Sequence, residues 1–417
     1  MVFTRNVHCE RLCFFRMNVH AEQYSTEGDK QMQKKIIAAA AFAALTSSVS
    51  VMAQSNVQLY GIVDNAVRVT NNEGANRGNV TKMVGGGMSQ SRWGINVTED
   101  LGNGTKALVN LENRINADDG SVSTPFFQQA WVGVQGGFGR LTLGRQFNPL
   151  FDLVTSTYAS FPYSPYMDAY KPEVGMVLGA RASNAIKYAI AAGGFAGSLF
   201  YSLDEGNNLQ DAGAGISAAG ALETYGGFLK YSANGFAVGA GYLNVNLPAG
   251  SKLDAWTAGG SYRKDKLYVN LGYGQNKLKA ANLSAQLAPL GANDVGLLNA
   301  YWGGGTNGGF SAGPAGNLLS SANKRTMYKV GFGYQIAPKV NAGIHYYHAK
   351  QSGSILSAYN GKTQFLIAAV DYAFSKRTDA YFAVDHTKIS GGESIVLDAP
   401  SQARKRTGIT AGLRHRF

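Results

Sequence analysis

Tyr328-Lys329-Val330-Gly331-Phe332-Gly333-Tyr334-Gln335 sets Tyr328, Val330, Phe332 and Tyr334 against Lys329, Gly331, Gly333 and Gln335. A period of two belongs to a β-strand, whose successive side chains point to opposite faces. The same alternation recurs along the chain. Val57, Leu59, Gly61, Val63, Val67 and Val69 share one face, and Gln58, Tyr60, Asp64, Arg68 and Thr70 share the other. Trp93, Ile95 and Val97 oppose Arg92, Asn96 and Thr98. Val238, Ala240 and Tyr242 oppose Gly239 and Gly241, and Val269, Leu271 and Tyr273 oppose Tyr268, Asn270 and Gly272.

Alternation alone also fits a soluble β-sandwich, whose inner face is equally apolar. The connections separate the two. Short polar turns fall at Leu101–Thr105, Gly136–Gly139, Ala192–Gly194, Ala233–Gly235, Lys264–Lys266, Ala337–Lys339 and Ser375–Arg377. Between them lie long loops near residues 71–87, 115–126, 147–180, 206–221, 247–253, 280–324, 351–362 and 390–405. Seven turns alternating with eight loops predict sixteen strands with both ends on one side. Short periplasmic turns and long external loops mark an outer-membrane barrel. All ten prolines fall in turns or loops, none mid-strand where a ladder hydrogen bond would be lost. Aromatic residues near strand ends, such as Trp256, Tyr262, Tyr334 and Phe374, fit interfacial girdles, although the β-propensity of Tyr and Phe produces the same enrichment.

Composition agrees. The mean hydropathy is −0.13, and charged residues make up 15% of the chain. A barrel hides its apolar surface in alternation, so a near-neutral mean is compatible with one. The longest apolar run, Ile36–Ala53, belongs to export. Lys34 and Lys35, the core Ile36–Leu45 and the small residues before Gln54 read as a signal peptide over residues 32–53. Residues 1–31 read as a non-native extension ahead of a true initiator at Met32, which leaves 54–417 as the barrel. Cys9 and Cys13 both lie in that extension, so no disulfide framework is expected. Lys and Arg exceed Asp and Glu by 38 to 26, but the excess is spread along the chain without a basic helix. Nucleic acid is therefore not an expected partner.

A strand in lipid cannot leave an open edge, because each unpaired backbone group there costs several kcal/mol. The last strand, Thr407–Phe417, must then pair with the first, Val57–Thr70.

Three groups of residues carry a family resemblance: Gln54-Ser55-Asn56-Val57-Gln58-Leu59-Tyr60-Gly61, Ser91-Arg92-Trp93-Gly94, and Gly139-Arg140-Leu141-Thr142-Leu143-Gly144-Arg145-Gln146. Lys171-Pro172-Glu173-Val174-Gly175 and the terminal Gly412-Leu413-Arg414-His415-Arg416-Phe417 extend it over essentially all of residues 54–417. In these segments the chain resembles the trimeric general porins of Gram-negative outer membranes, of the beta-proteobacterial type. The resemblance implies a closed sixteen-stranded antiparallel transmembrane β-barrel, a homotrimer with one pore per subunit, and a third loop, about Phe147–Ala180, folded into the lumen. It implies an arginine cluster facing that loop, carried here by Arg92, Arg145 and Arg181, with Glu112 as an inward acid and Glu173 in the family's Pro-Glu motif. Asp152 and Asp168 are further acids of the loop. Val174-Gly175-Met176 departs from the commoner aromatic-glycine continuation, which leaves the loop's path open. Phe417 is implied as the signal read by the barrel-insertion machinery.

Parity supports inward placement for most of these. Arg92 shares its face with Asn96 and Thr98, Arg114 with Asn110 and Glu112, and Arg181 with Ser183 and Lys187. An Arg facing lipid near the midplane costs about 2–4 kcal/mol. Strict alternation puts Arg145 with Leu141 and Leu143, so it faces the lumen only if the strand ends or bulges at Gly144. The inward set also includes Arg68, Lys106, Lys187, Lys230, Arg263, Lys329 and Arg414, against Asp64, Asp371, Asp379 and Asp385. Bases outnumber acids, which predicts modest anion preference in passive diffusion of small hydrophilic solutes and inorganic ions.

Other chemistry finds little purchase. Gly102-Asn103-Gly104-Thr105-Lys106 lacks the order of a phosphate loop. His345 and His348 point opposite ways on a strand, and no set of metal ligands completes a site. No nucleophile elbow supports a barrel enzyme such as a lipase. Neither a cofactor nor a metal is expected. A substrate-specific channel remains the alternative to general diffusion.

Overall fold

The computed structural model describes residues 55–160, 180–203, 223–246, 252–279, 323–353, 357–392, 397 and 401–417. The expected signal peptide and N-terminal extension fall outside the described residues, as do Asp168 and Glu173. The first strands are β1 (Asn56–Glu73), β2 (Gly78–Gly85), β3 (Arg92–Gly102), β4 (Thr105–Ile115), β5 (Val122–Gly136) and β6 (Gly139–Phe147). A helix, α1 (Pro149–Thr157), precedes β7 (Arg181–Ala192), β8 (Phe195–Ser202), β9 (Thr224–Ala233), β10 (Phe236–Asn246) and β11 (Lys252–Lys264). The chain finishes with β12 (Leu267–Lys279), β13 (Lys324–Ala337), β14 (Val340–Ser352), β15 (Gly361–Ala373), β16 (Thr378–Gly391) and β17 (Lys405–Arg416).

From β3 onward each strand pairs antiparallel with the next, and β17 returns to pair with β1 from Ile62↔Arg416 to Thr70↔Gly408. Reciprocal backbone bonds of 3.1 Å between Gly61 and Phe417 complete the seam. The long β1 pairs with β2 through its second half and with β3 through its first. Thus β2 and β3 share one place in the ring, and the seventeen segments fill sixteen positions.

One expected boundary is corrected here. Residues 71–87 do not form a loop. Asn72 and Glu73 continue β1, a tight turn spans 74–77, and β2 returns along β1 as far as Gly85. The ladder breaks instead at 86–91, where Gly85-Gly86-Gly87 has no side chains to hold a lipid face and Gly86 takes a φ of +84°.

Burial runs inside out. Val330 and Phe332 are 55% and 46% exposed on the outer face, whereas the adjacent Lys329 is only 3% exposed. Asp64, Arg68, Thr70, Glu112, Asn270 and Arg414 are buried in the same inward sense. Water is the solvent of the lumen and hydrocarbon that of the outer wall, so polar side chains turn inward. Inside, the charges pair across strands. Arg68 bonds both oxygens of Asp385 at 2.6 and 3.0 Å, and Asp379 takes Arg414 at 3.0 Å and Arg416 at 2.6 Å.

The helix α1 lies against this inner wall. Asn148 caps it, its side-chain oxygen accepting from Phe151 N at 2.9 Å, and Pro149 follows at the first helical position where no N–H is needed. Leu150, Leu153 and Tyr158 are fully buried against β10, β11 and β12. They fit because the wall carries Gly239, Gly241, Gly259 and Gly272 there. A Cβ on Gly241 would lie 2.9 Å from Leu150 Cδ2, and one on Gly272 would lie 2.7 Å from the Tyr158 ring. The wall also satisfies the carbonyls that a helix end leaves over. Lys230 Nζ donates to Ser156 O at 3.2 Å, Ser261 Oγ to Thr157 O at 2.5 Å, and Tyr268 Oη to Ala159 O at 2.6 Å. The helix is thereby latched to the inner wall.

Candidate pore constriction

Strands β3, β4 and β7 deliver the charged wall. Arg92 stands opposite Arg114 in the β3–β4 register, two residues from the pair Gly94↔Glu112. Glu112 sits between cations: Arg92 Nε approaches at 3.6 Å and Arg181 Nη2 at 3.4 Å. Tyr60 Oη donates to the same carboxylate at 3.1 Å and accepts from Asn110 at 2.9 Å. The Arg181 guanidinium also lies 4.6 Å from the Phe147 ring centroid, a cation–π contact that fixes its direction.

Arg92, Arg114, Glu112, Phe147 and Arg181 line a cavity of about 440 Å³ between the wall and α1. Arg92, Arg114, Arg181, Arg416 and Glu112 form its charged side, and Phe151, Thr155 and Ala159 form the side facing it. Four of the candidate residues thus converge. Arg145 does turn inward, by the route that alternation required. Gly144 adopts a φ of +125°, the β6–β7 register shifts between Gly144 and Gln146, and Arg145 is buried with Nη1 3.0 Å from Ser183 Oγ. Ser183 lies two residues from Arg181 on β7, and Arg145 is not among the residues lining the 440 Å³ cavity.

Asp152 is also apart. It lies in the first turn of α1, bonds Lys187 Nζ at 2.8 Å, and lines a second cavity of about 630 Å³.

The sequence reading missed one edge of the constriction. Met88, Ser89 and Gln90, in the break between β2 and β3, line the 440 Å³ cavity. Asp64 holds this segment inward. Its Oδ2 accepts from Met88 N at 3.1 Å and Ser89 N at 2.6 Å, and its backbone oxygen accepts from Gly86 N at 2.6 Å. Tyr381 Oη donates to Asp64 Oδ1 at 2.5 Å, and Arg414 Nη1 donates to Ser89 Oγ at 2.6 Å. The available signal was Gly85-Gly86-Gly87, which breaks the alternation, opposite an acid of inward parity.

The sequence pattern of one protein family accounts for this arrangement. The Gram-negative porin family matches residues 38–392. The chain is a Gram-negative porin. It is 34% identical over 243 residues to outer membrane porin protein 32 of Delftia acidovorans, covering 55% of this chain and 66% of that one. An outer membrane porin protein of Bordetella pertussis is 26% identical over 426 residues, which span 93% of this porin and the whole of the relative. Among solved structures, the anion-selective porin from Comamonas acidovorans superposes with a TM-score of 0.61 at 23% identity, covering 87% of this chain and all of that one. The trimer form of OmpT of Vibrio cholerae gives 0.59 at 13% identity, covering 87% and 99%. This porin is therefore an outer-membrane channel, with α1 and the 86–91 segment facing each other across its charged cavity.

Proposed function

We propose that this porin is a general diffusion channel with a modest preference for anions, that Arg92, Arg114 and Arg181 set that preference at the constriction, and that it acts as a homotrimer without catalytic activity. One observation carries the reading: among the described residues, four arginines and a single carboxylate line the cavity between wall and helix. Fixed cations in a narrow, low-dielectric passage raise the local concentration of anions and lower that of cations. Asp379 partly offsets Arg416, and Glu112 partly offsets Arg92 and Arg181, which keeps the preference modest. The Comamonas acidovorans porin of similar fold is described as anion-selective, and OmpT is described in a trimer form. Small hydrophilic solutes and inorganic ions are the permeants, and outer-membrane lipid surrounds the barrel. Arg145, buried against Ser183, braces β7 behind Arg181; Asp152 serves Lys187 and α1. Asp168 and Glu173, outside the described residues, remain the further acids that the family resemblance implies for the third loop.

Uptake into proteoliposomes tests the preference with solutes of one size. A sugar acid should enter about two- to threefold faster than the corresponding amino sugar. Faster entry of the cationic sugar would overturn the reading. Cross-linking in native membranes should yield a three-chain species.

The terminal aromatic has a separate role. Phe417 closes the seam on Gly61 and remains 44% exposed on the outer surface, within reach of the insertion machinery. Deleting Phe417 should lower the yield of inserted barrel severalfold, whereas Phe382→Leu, at another outward aromatic, should leave it close to wild type. Equal yields would reduce Phe417 to an ordinary lipid-facing ring.

A further inference from the structure

The second cavity, of about 630 Å³, lies on the other side of α1 from the constriction, with Thr155 bordering both. It is at the short-turn end of the barrel, since residues of the β5–β6 turn and the start of β8 line it. Its charged side chains are Arg140 of β6, Lys187 of β7, Lys230 of β9 and Asp152 of α1. Asp152 neutralises Lys187 at 2.8 Å. Among the described residues, neither Arg140 nor Lys230 has a carboxylate at ion-pair distance, in contrast to Arg68, Arg181, Arg414 and Arg416. Two positive charges are left over in one concave site.

The guanidinium of Arg140 offers a planar fork of donors, and the ammonium of Lys230, held by Ser156 O at 3.2 Å, offers a positioned point charge with donors to spare.

We infer that Arg140 and Lys230 form a binding station for a small divalent oxyanion on the short-turn side of the constriction. The inference rests on the anion-preferring reading of the pore and adds to it a discrete, saturable site. An anion that has passed Arg92 and Arg181 meets a second attractive point before leaving. Two weak sites in series favour conduction, since each must be left as readily as it is entered.

Sulfate is the probe, as it stays divalent over the working pH range. Chloride current through single channels would be recorded in about 0.1 M KCl, where the Debye length is about 10 Å and the site is not screened away. Sulfate should reduce the wild-type current saturably, and at lower concentration from the short-turn side than from the loop side. Acetate, a monovalent oxyanion, should have little effect at the same concentration. Arg140→Gln with Lys230→Gln should raise the half-blocking sulfate concentration about tenfold or more, while the potassium chloride reversal potential keeps its sign through Arg92 and Arg181. Sulfate block that is absent in wild type, or that is unchanged in the double variant, would overturn the station. A cation-preferring wild type would instead overturn the reading on which it rests.

Discussion

Replacing Leu150 and Leu153 together by Asp should raise single-channel conductance about twofold and admit larger neutral solutes. The two leucines are fully buried between α1 and the glycines of β10, and burial of each is worth about 1.5–3 kcal/mol. Carboxylates in the same groove gain none of this and are left without partners, so the helix is driven into the aqueous lumen. No barrel strand is altered, so the wall still folds and inserts. Gly272→Val offers an independent route, because its side chain would occupy the space of the Tyr158 ring. Detaching the opposing lip is a smaller change of the same kind. Asp64→Ala removes the acceptor for Met88 N, Ser89 N and Tyr381 Oη, and should widen the pore less than the loss of α1 does. Wild-type conductance and an unchanged size limit in all three variants would mean that neither element restricts the pore.

Where local chemistry alone decided the structure, the sequence was readable. Strand parity placed Arg68, Arg92, Lys187, Lys329 and Arg414 inward because a charge facing hydrocarbon has no alternative. The turns were readable because a two-residue reversal demands particular backbone shapes, as at Asn103, Asn234 and Asp265, all with positive φ. Arg145 was readable only conditionally, since alternation and inward charge conflicted and the bulge at Gly144 resolved them. The helix α1 left a signal that went unused: Asn148-Pro149 is a cap followed by a helix-starting proline. What no local pattern contained was the meeting of distant parts. Gly239, Gly241 and Gly272 read as gaps in a strand's inner face until a helix from another connection fills them. Met88, Ser89 and Gln90 fall between the loop read near 71–87 and the strand at Arg92, and nothing local shows that Asp64 and Tyr381, 317 residues apart, hold them.

The second large effect is on charge preference. Among the described residues, Arg92→Glu with Arg181→Glu converts a cavity lined by four arginines and one glutamate into one lined by two arginines and three glutamates. The sign of the local field inverts, and the channel should come to favour potassium over chloride. Because Arg181 and Glu112 are a buried pair, the milder Arg92→Gln with Arg181→Gln serves as a companion, and it should move the preference to near neutrality without stranding three carboxylates. At about 1 M salt the Debye length falls to about 3 Å, and both wild type and variants should converge.

The zero-current potential of the wild-type channel across a potassium chloride gradient, near 0.1 M on the dilute side, reads the central claim directly. The four-arginine constriction predicts a potential displaced toward the chloride equilibrium value, moderately and reversibly with salt. A potential displaced toward the potassium value would contradict it.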